Sequence, residues 1–388
     1  MSAALPRRIL VAIDEMEVGG SQRQVVHLLG ALDRRRWAPE LVYFRNDSFL
    51  VGQLRHQGVP VHFLPKRGAI DLRFLLAYAR LLRNGGYALV HAFSFTAELW
   101  TWLALRSLRY PPVLVSSLRN LSLDAPRWQW RLKRRVLAGS AATIANSRAA
   151  ARAAAQLAHW PESRITVVGN GTPEPAPMPE ARKLALRREL GVPDGRPFGL
   201  FVGRLAPVKN LPCLLQALAL VNPEQRPWLA LAGDGPESAT LLARREALGL
   251  GGDLSLLGER TDATQLMQAA DFLVLCSHQE GLSNAIIEAM LAGCPVVASA
   301  VGGNVELVEH ERSGLLVPAN DAGALAAAMA RLAGDPALRA TLAAEALVRA
   351  RSRFSLTALA AATEQVYDRA LQAPRDTGAP AAQARWSA

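Results

Sequence analysis

Ser277 to Gly293 reads SHQEGLSNAIIEAMLAG, and two carboxylates stand out in it: Glu280 in a polar turn and Glu288 inside an otherwise uncharged run. From Ala285 to Leu291 the residues favour a helix and are apolar nearly all round, so a buried helix is expected with Glu288 as its one charge. An ionised carboxylate in such surroundings costs roughly several kcal/mol unless something pairs with it or donates hydrogen bonds to it. Two environments meet that demand: a core salt bridge with Arg or Lys, or a ligand whose hydroxyls the carboxylate grips. Ahead of the helix, Gly281, Ser283 and Asn284 fit a tight turn and N-cap. That leaves backbone N–H groups free at a helix N-terminus, which attracts phosphate. Phosphate and hydroxyls together suggest a nucleotide sugar.

Short apolar runs flank this stretch at 272–276 and 296–299, and similar runs recur at 198–202, 228–232, 254–257 and 315–317. Helical segments separate them, the pattern of a parallel sheet covered on both faces. The first half alternates in the same way, with strands expected at 8–13, 40–44, 59–64, 88–92, 113–117, 142–145 and 165–168. Its 388 residues exceed one ordinary hydrophobic core. The expected fold class is therefore α/β, with two doubly wound parallel-sheet, Rossmann-like domains. Prolines 173, 175, 177 and 179 crowd into TPEPAPMPE, which reads as the linker. The expected organisation is a first domain at 1–172, a linker at 173–180 and a second domain at 181–355. A C-terminal helix at 356–372 is expected to pack back on the first domain, ahead of a disordered tail at 373–388.

The formal charge of +11 is unevenly placed, +13 in residues 1–175 and −2 in the remainder. Nucleic acid is not the expected partner, because the basic residues do not alternate with exposed aromatics. An anionic membrane surface or a lipid-linked acceptor fits better. Trp128 to Ser140, WQWRLKRRVLAGS, is a basic amphipathic helix carrying Arg131, Lys133, Arg134 and Arg135. It can lie on anionic lipid, or it can be a solvated face packed through its apolar side, Trp128, Trp130, Leu132, Val136 and Leu137. Three cysteines without a CxxC pair point to a reducing compartment and a cytoplasmic protein. The opening apolar run is too short for a secretion signal and reads as a first strand, and no run of 18 apolar residues spans a membrane. Scattered histidines, and no Asp-x-Asp, make a dedicated metal site unexpected.

Strand-end loops carry the remaining candidates. Gly203 and Arg204 open the loop to Asn210, which includes Lys209, one of only four lysines against forty arginines. Gly233, Asp234 and Gly235 form a second loop, and the opening stretch is a third. All should open on one sheet edge, where parallel sheets place their ligands. Two cations there suit a diphosphate. In the first half, Gly19 and Gly20 form a strand-to-helix turn that lets backbone approach a ligand closely. His91, at the carboxyl end of a strand, is either a satisfied core histidine or a ligand-facing one.

These residues resemble the retaining, two-Rossmann-domain (GT-B) glycosyltransferases of the large family four, over nearly the whole chain. The most specific similarities are GRLAPVKN, AGDGPE and SHQEGLSNAIIEAMLAGCPVVAS, with seven residues between the two glutamates. LVHAF with His91, ANS at Asn146 and Ser147, GNG at Asn170 and SGLLVP from Ser313 are also similar. One departure is AVGGNVELV, where Val305 precedes Glu306 in place of the family's frequent proline; it bears on the positioning of Gly302 to Asn304.

The resemblance implies two domains facing across a cleft, with Arg204 and Lys209 on the donor diphosphate, Glu280 on sugar hydroxyls and Glu288 on ribose hydroxyls. It implies that backbone from Gly281 through Leu282 and Ser283 to Asn284, with the Gly19–Gly20 turn, closes on phosphates. It also brings His91 to the sugar from the opposite domain. No cofactor or metal is then expected, since two cations and a helix N-terminus can stabilise the departing nucleoside diphosphate. The expected function is transfer of a sugar from a nucleotide-diphosphate donor to a hydroxyl acceptor, such as a lipid-linked or surface glycan, at the cytoplasmic face of the membrane. Two other classes stay open: a catalytically silent sugar-nucleotide scaffold, which would not hydrolyse donor, and a nucleotide-sugar epimerase, which would convert donor without transfer. An NAD-dependent oxidoreductase is disfavoured by the absence of GxGxxG.

Overall fold

A computed structural model describes residues 5–119 and 125–373. Seven parallel strands form the first sheet: β1 (Arg7–Ile13), β2 (Trp37–Tyr43), β3 (Val61–Phe63), β4 (Leu89–Ala92), β5 (Val113–Leu118), β6 (Ala142–Ala145) and β7 (Ile165–Val167). Their order is β3-β2-β1-β4-β5-β6-β7. Six more form the second: β8 (Phe198–Val202), β9 (Trp228–Ala232), β10 (Leu254–Gly258), β11 (Phe272–Leu275), β12 (Val296–Ser299) and β13 (Leu315–Val317), in the order β10-β9-β8-β11-β12-β13. Thirteen apolar runs were expected as strands, and all thirteen are strands. The order reverses between β1 and β4 and between β8 and β11, and a doubly wound sheet opens a crevice at such a point beyond the strands' carboxyl ends.

Alternation along the strands divides the first domain's core. Ile9, Val11 and Ile13 of β1 face one layer, Leu10 and Ala12 the other. The first layer is completed from the far end of the chain, where Leu359, Val366, Tyr367 and Ala370 of the helix Leu356–Gln372 join the same apolar cluster. Arg36 holds that helix from outside through Glu364 and Asp368, at 2.7 and 2.6 Å. The chain thus crosses between domains twice, and the two crossings touch, Thr172 N–H donating to the Phe354 carbonyl at 3.0 Å. Residues 173–179 contain no helix and lead into the helix Glu180–Glu189. The expected disordered tail falls, from residue 374 onward, outside the described residues, as does Asn120.

Helix starts follow the side chains that can cap them. Ser48, Asp71, Ser94, Ser147, Ser283, Asp321, Asp335 and Ser355 each accept a hydrogen bond from a backbone N–H of the following first turn. Ser94 and Ser283 start helices at the carboxyl ends of β4 and β11, and so help to shape the edge on which a doubly wound sheet holds its ligands.

The contact between Tyr367 and His91 tests the closing helix. Their hydroxyl and Nδ1 lie 2.8 Å apart with both side chains wholly buried. Tyr367→Phe should cost about 1–3 kcal/mol by leaving an imidazole nitrogen unpaired, and Tyr367→Ala about 3–5 kcal/mol by opening a cavity as well, both read from urea denaturation. Burial also holds His91 and His27 below the ordinary imidazole pKa. The unfolded chain therefore takes up protons first, and stability should be present above about pH 6.5 and decline as pH falls below it.

Candidate active site

The loops beyond β8 and β9 pack backbone to backbone. Gly233 sits at φ +147°, and a Cβ there would lie 1.9 Å from the Gly203 carbonyl oxygen, so glycine is required. The loops beyond β11 and β12 meet as tightly: a Cβ on Gly302, at φ +50°, would lie 1.8 Å from the Glu280 carbonyl oxygen. Val305 is half exposed beside them, and Asn304 is buried with its amide donating to the Ser299 carbonyl at 3.1 Å. The missing proline leaves Gly302 to Asn304 packed in place.

Against this floor, Lys209 Nζ donates to Glu280 Oε1 at 2.6 Å, and Ser277 Oγ donates to the same oxygen at 2.6 Å. Both charged groups are only partly exposed, 20 and 11 % at the side chain. Arg204, by contrast, is exposed, with no ion pair among the described residues. Asp234 spends one carboxylate oxygen on its own turn, accepting from the Gly235 N–H and the Ser238 hydroxyl, which hold its carboxyl below the usual range.

The helix Asn284–Leu291 corrects one expectation. Ile286, Ile287, Ala289, Met290 and Leu291 are buried, but Asn284, Ala285, Glu288 and Ala292 form a partly exposed stripe at helical spacing. Glu288 therefore faces the crevice and not the core. No Arg or Lys pairs with it among the described residues, so the core salt bridge is not what this structure contains. Burial pushes its carboxyl up, and Arg23 across the crevice draws it partly back.

Asn284 joins the walls. Its amide donates to the Gly20 carbonyl at 3.3 Å, and its Oδ1 accepts from Asn170 at 2.7 Å and Gln24 at 3.3 Å. Asn170 also donates to the Leu282 carbonyl at 3.3 Å, and a Cβ on Gly281 would lie 3.1 Å from the Arg119 carbonyl oxygen. The Gly19–Gly20 turn thus meets the Gly281–Asn284 turn. On the outer side, Glu306 accepts from the N–H groups of Arg148 and Ala149, both at 2.9 Å, at the start of the helix Arg148–Ala158.

His91 is the second correction. Its ring is 0 % exposed, its Nδ1 is matched with Tyr367, and its Nε2 has no partner among the described residues. Odd-numbered positions of β4 face the layer that holds the C-terminal helix, so His91 lies beneath the sheet edge and cannot reach a sugar in the crevice. Phe93, two residues on, packs against it at a 47° tilt with centroids 4.3 Å apart and reaches the edge instead. There it lines a cavity of about 280 Å³ with Asp14, Glu15, Ser94, Thr96, Arg119, Trp130 and Lys133.

Lys133 is the third correction. It is buried and paired with the wholly buried Glu98, so it takes no part in an outer basic face. The helix Arg127–Ala138 is packed through Trp130, Lys133, Val136 and Leu137, and exposes Arg127, Trp128, Arg131, Arg134 and Arg135. Sequence reasoning gave Arg119, Gln24 and Phe93 no part in the crevice and quoted Asn170 only as a point of family likeness. Arg119 and Phe93 carried a usable signal, each standing directly after a strand at the ligand-bearing edge.

Residues 182–348 match the family model for glycosyl transferases group 1, and residues 18–174 that for glycosyltransferase family 4. A D-inositol 3-phosphate glycosyltransferase of Thermobispora bispora is 33 % identical over 334 residues, covering 80 % of this chain and 77 % of that one. The chain belongs to these glycosyltransferases. A lipopolysaccharide core biosynthesis glycosyltransferase, LpsD of Rhizobium meliloti, is 35 % identical over 206 residues, 53 % of this chain and 57 % of that one. Crystal structures of Anabaena Alr3699/HepE superpose with a TM-score of 0.84 in complex with UDP and 0.83 in complex with UDP-glucose, at 25 and 26 % identity, covering 93 % of this chain and 99 % of theirs. The fold of this glycosyltransferase is GT-B.

The unpaired Glu288 carboxylate makes a distinctive prediction for the ligand-free enzyme. Its folded pKa is raised, so it favours the fold while protonated and opposes it once ionised. Glu288→Gln should raise the melting temperature near neutral pH, with the gain shrinking towards about pH 4.3, the ordinary carboxyl pKa. A lower melting temperature at neutral pH would show that the carboxylate is paired after all.

Proposed function

We propose that this glycosyltransferase moves a sugar from a nucleotide-diphosphate donor to a hydroxyl acceptor with retention of configuration and without a metal, in the assembly of a lipid-linked or surface glycan. The observation that carries this reading is the meeting, in one crevice, of the Lys209–Glu280 pair, the unpaired Glu288 and the two glycine turns. Each has a place in one ligand. Glu288 offers an acceptor for two neighbouring ribose hydroxyls, which removes the cost of its unpaired burial. Lys209 and Arg204 face the diphosphate. The pair with Glu280 holds Lys209 in position until phosphate oxygens compete for the ammonium, and Glu280 is then released to the hydroxyls of the transferred sugar.

Negative charge grows on the leaving diphosphate as the glycosidic bond breaks, so cations fixed at that point lower the barrier to transfer. The leaving phosphate takes the acceptor's proton on the face that it vacates, and no carboxylate acts as a covalent nucleophile. The UDP and UDP-glucose complexes of the Anabaena protein favour a UDP-sugar as donor. A thermal-shift comparison of UDP-, GDP- and ADP-sugars tests that choice directly. Transfer by this route also separates the reading from a silent scaffold, which would bind donor without turnover.

Membrane contact belongs to the same proposal. Among the described residues no helix is long and apolar enough to cross a membrane. On the outer surface of the first domain, Trp128 is 59 % exposed among Arg127, Arg131, Arg134 and Arg135, and Ile70, Leu72 and Leu76 are exposed at 84, 67 and 69 % close to Arg67, Arg73 and Arg80. Apolar side chains set among arginines suit the boundary of an anionic bilayer, where the enzyme would work peripherally at the cytoplasmic face.

Lys209→Ala should lower kcat/KM by roughly 100-fold or more, the scale of losing an electrostatic contact at developing charge; activity within about twofold of wild type would remove Lys209 from the mechanism. Turnover should persist in EDTA, and a divalent-cation requirement for the chemical step would refute the metal-free route. The enzyme should float with anionic liposomes, and replacing Arg127, Arg131, Arg134 and Arg135 by Gln should abolish flotation, whereas equal flotation of the variant would remove this helix from the contact.

A further inference from the structure

Arg119 is a crevice cation that the donor site does not use. It follows β5 directly and is 4 % exposed. Its Nε donates to Ser117 Oγ at 3.1 Å and its Nη1 to Asn170 Oδ1 at 2.8 Å, both neutral acceptors. Its guanidinium lies over the Phe93 ring, 4.6 Å from the centroid. No carboxylate pairs with it among the described residues, and burial lowers its pKa to about 10. Lys133, the other cation lining the same cavity, is already matched by Glu98. A buried guanidinium held in place by neutral groups, with Nη2 unspent among the described residues, is a built binding point for an anion.

The sheet fixes what else such an anion carries. Asp14 and Glu15 follow β1, Phe93 follows β4 and Arg119 follows β5, and these three strands are neighbours in the order β1-β4-β5. Two strand spacings separate the ends of β1 and β5 by about 10 Å. Asp14 is shared with Arg45 at 2.8 Å, and Glu15 keeps its oxygens for other donors apart from a distant contact with Arg45 at 3.9 Å. Between the two ends Phe93 contributes to the lining, its ring packed by Arg119 and His91. A cavity of about 280 Å³ suits a single ring.

Granted glycosyl transfer from a nucleotide-diphosphate donor, we propose that this cavity takes the acceptor and that the acceptor is a polyhydroxylated ring bearing an anionic group, phosphate or carboxylate. The anion lies on Arg119, the ring in the cavity between the two ends, and hydroxyls on Asp14 and Glu15. The cavity also abuts the donor turn, since Gly281 approaches the Arg119 backbone. The transferred sugar and the acceptor hydroxyl are thereby neighbours. The anion can belong to a soluble sugar acid or to the diphosphate of a lipid-linked sugar.

The test titrates the full chain, saturated with UDP, and reads binding by ligand-observed NMR. Anionic probes are glucose 6-phosphate, glucuronate and a short-chain polyprenyl diphosphate sugar; neutral probes are glucose and its methyl glycoside. At least one anionic probe should bind about tenfold or more tighter than the neutral ones, the worth of one charge-assisted hydrogen bond. Arg119→Gln should erase that preference while leaving UDP affinity within about twofold, and Arg119→Lys, which keeps the charge, should retain part of it and replaces the Gln variant if that fails to fold. A preference confined to the polyprenyl probe assigns the lipid source, and one shown by the soluble acids assigns the free source; either upholds the site. Equal binding of neutral and anionic probes, binding of none, or a parallel loss of UDP affinity in Arg119→Gln overturns it. Failure of the wild-type chain to bind any nucleoside diphosphate would instead sink the glycosyl-transfer reading, and the same probes titrated without nucleotide would still decide the cavity.

Discussion

Burying an ion without its counter-ion is among the most expensive things a fold can do, and this enzyme does it on both walls of one crevice. Among the described residues, Glu288 stands unpaired on the second domain and Arg119 on the first. Other buried charges are matched: Glu98 has Lys133, Glu40 has Arg8, and Asp253 has Arg196 and Arg226. Glu288 lies on the helix that follows β11 and Arg119 directly after β5, both on the crevice. Everything around them serves to hold these edges at the right separation. The glycine contacts let loops touch without side chains between them, and Asn284 ties the facing turns by hydrogen bonds that ligand groups can replace.

Polar contacts between the domains are of a kind that can be remade. Asn284 with Gly20, Asn170 and Gln24, and Glu306 with a helix start, are single hydrogen bonds and not a shared apolar core. The apolar clusters stay within each sheet's own layers, apart from the helix that returns to the first domain. Opening the crevice therefore exposes little hydrophobic surface, and its free-energy cost can be matched by ligand binding.

The fold was legible because it is written in local chemistry. Buried parallel strands show as short apolar runs, and strand-end loops show as glycines with charged residues, so thirteen strands and the Lys209–Glu280 region could be located from residue types alone. What could not be located depends on facing. His91 and Phe93 share a face of β4, and only the helix packed beneath decides that one is core and the other rim. Lys133 looked like part of a solvated basic face because Glu98, 35 residues earlier, comes beside it only in three dimensions. Glu288 sat in a helix whose sequence is apolar nearly all round, and alanine and asparagine on its fourth positions disguised the stripe that is left uncovered. The roles of these residues towards a donor rest on chemistry and family likeness.

The returning helix has a consequence for how the protein is made. The layer beneath β1 lacks Leu359, Val366 and Tyr367 until the last residues of the described chain have been added. A ribosome delivers the first sheet long before that cover, so Ile9, Val11 and the rest of that face must wait exposed while the second domain, contiguous in sequence, can close on itself. The domain synthesised first is thus the domain finished last, and its open apolar face is the part of the nascent chain most in need of chaperone protection.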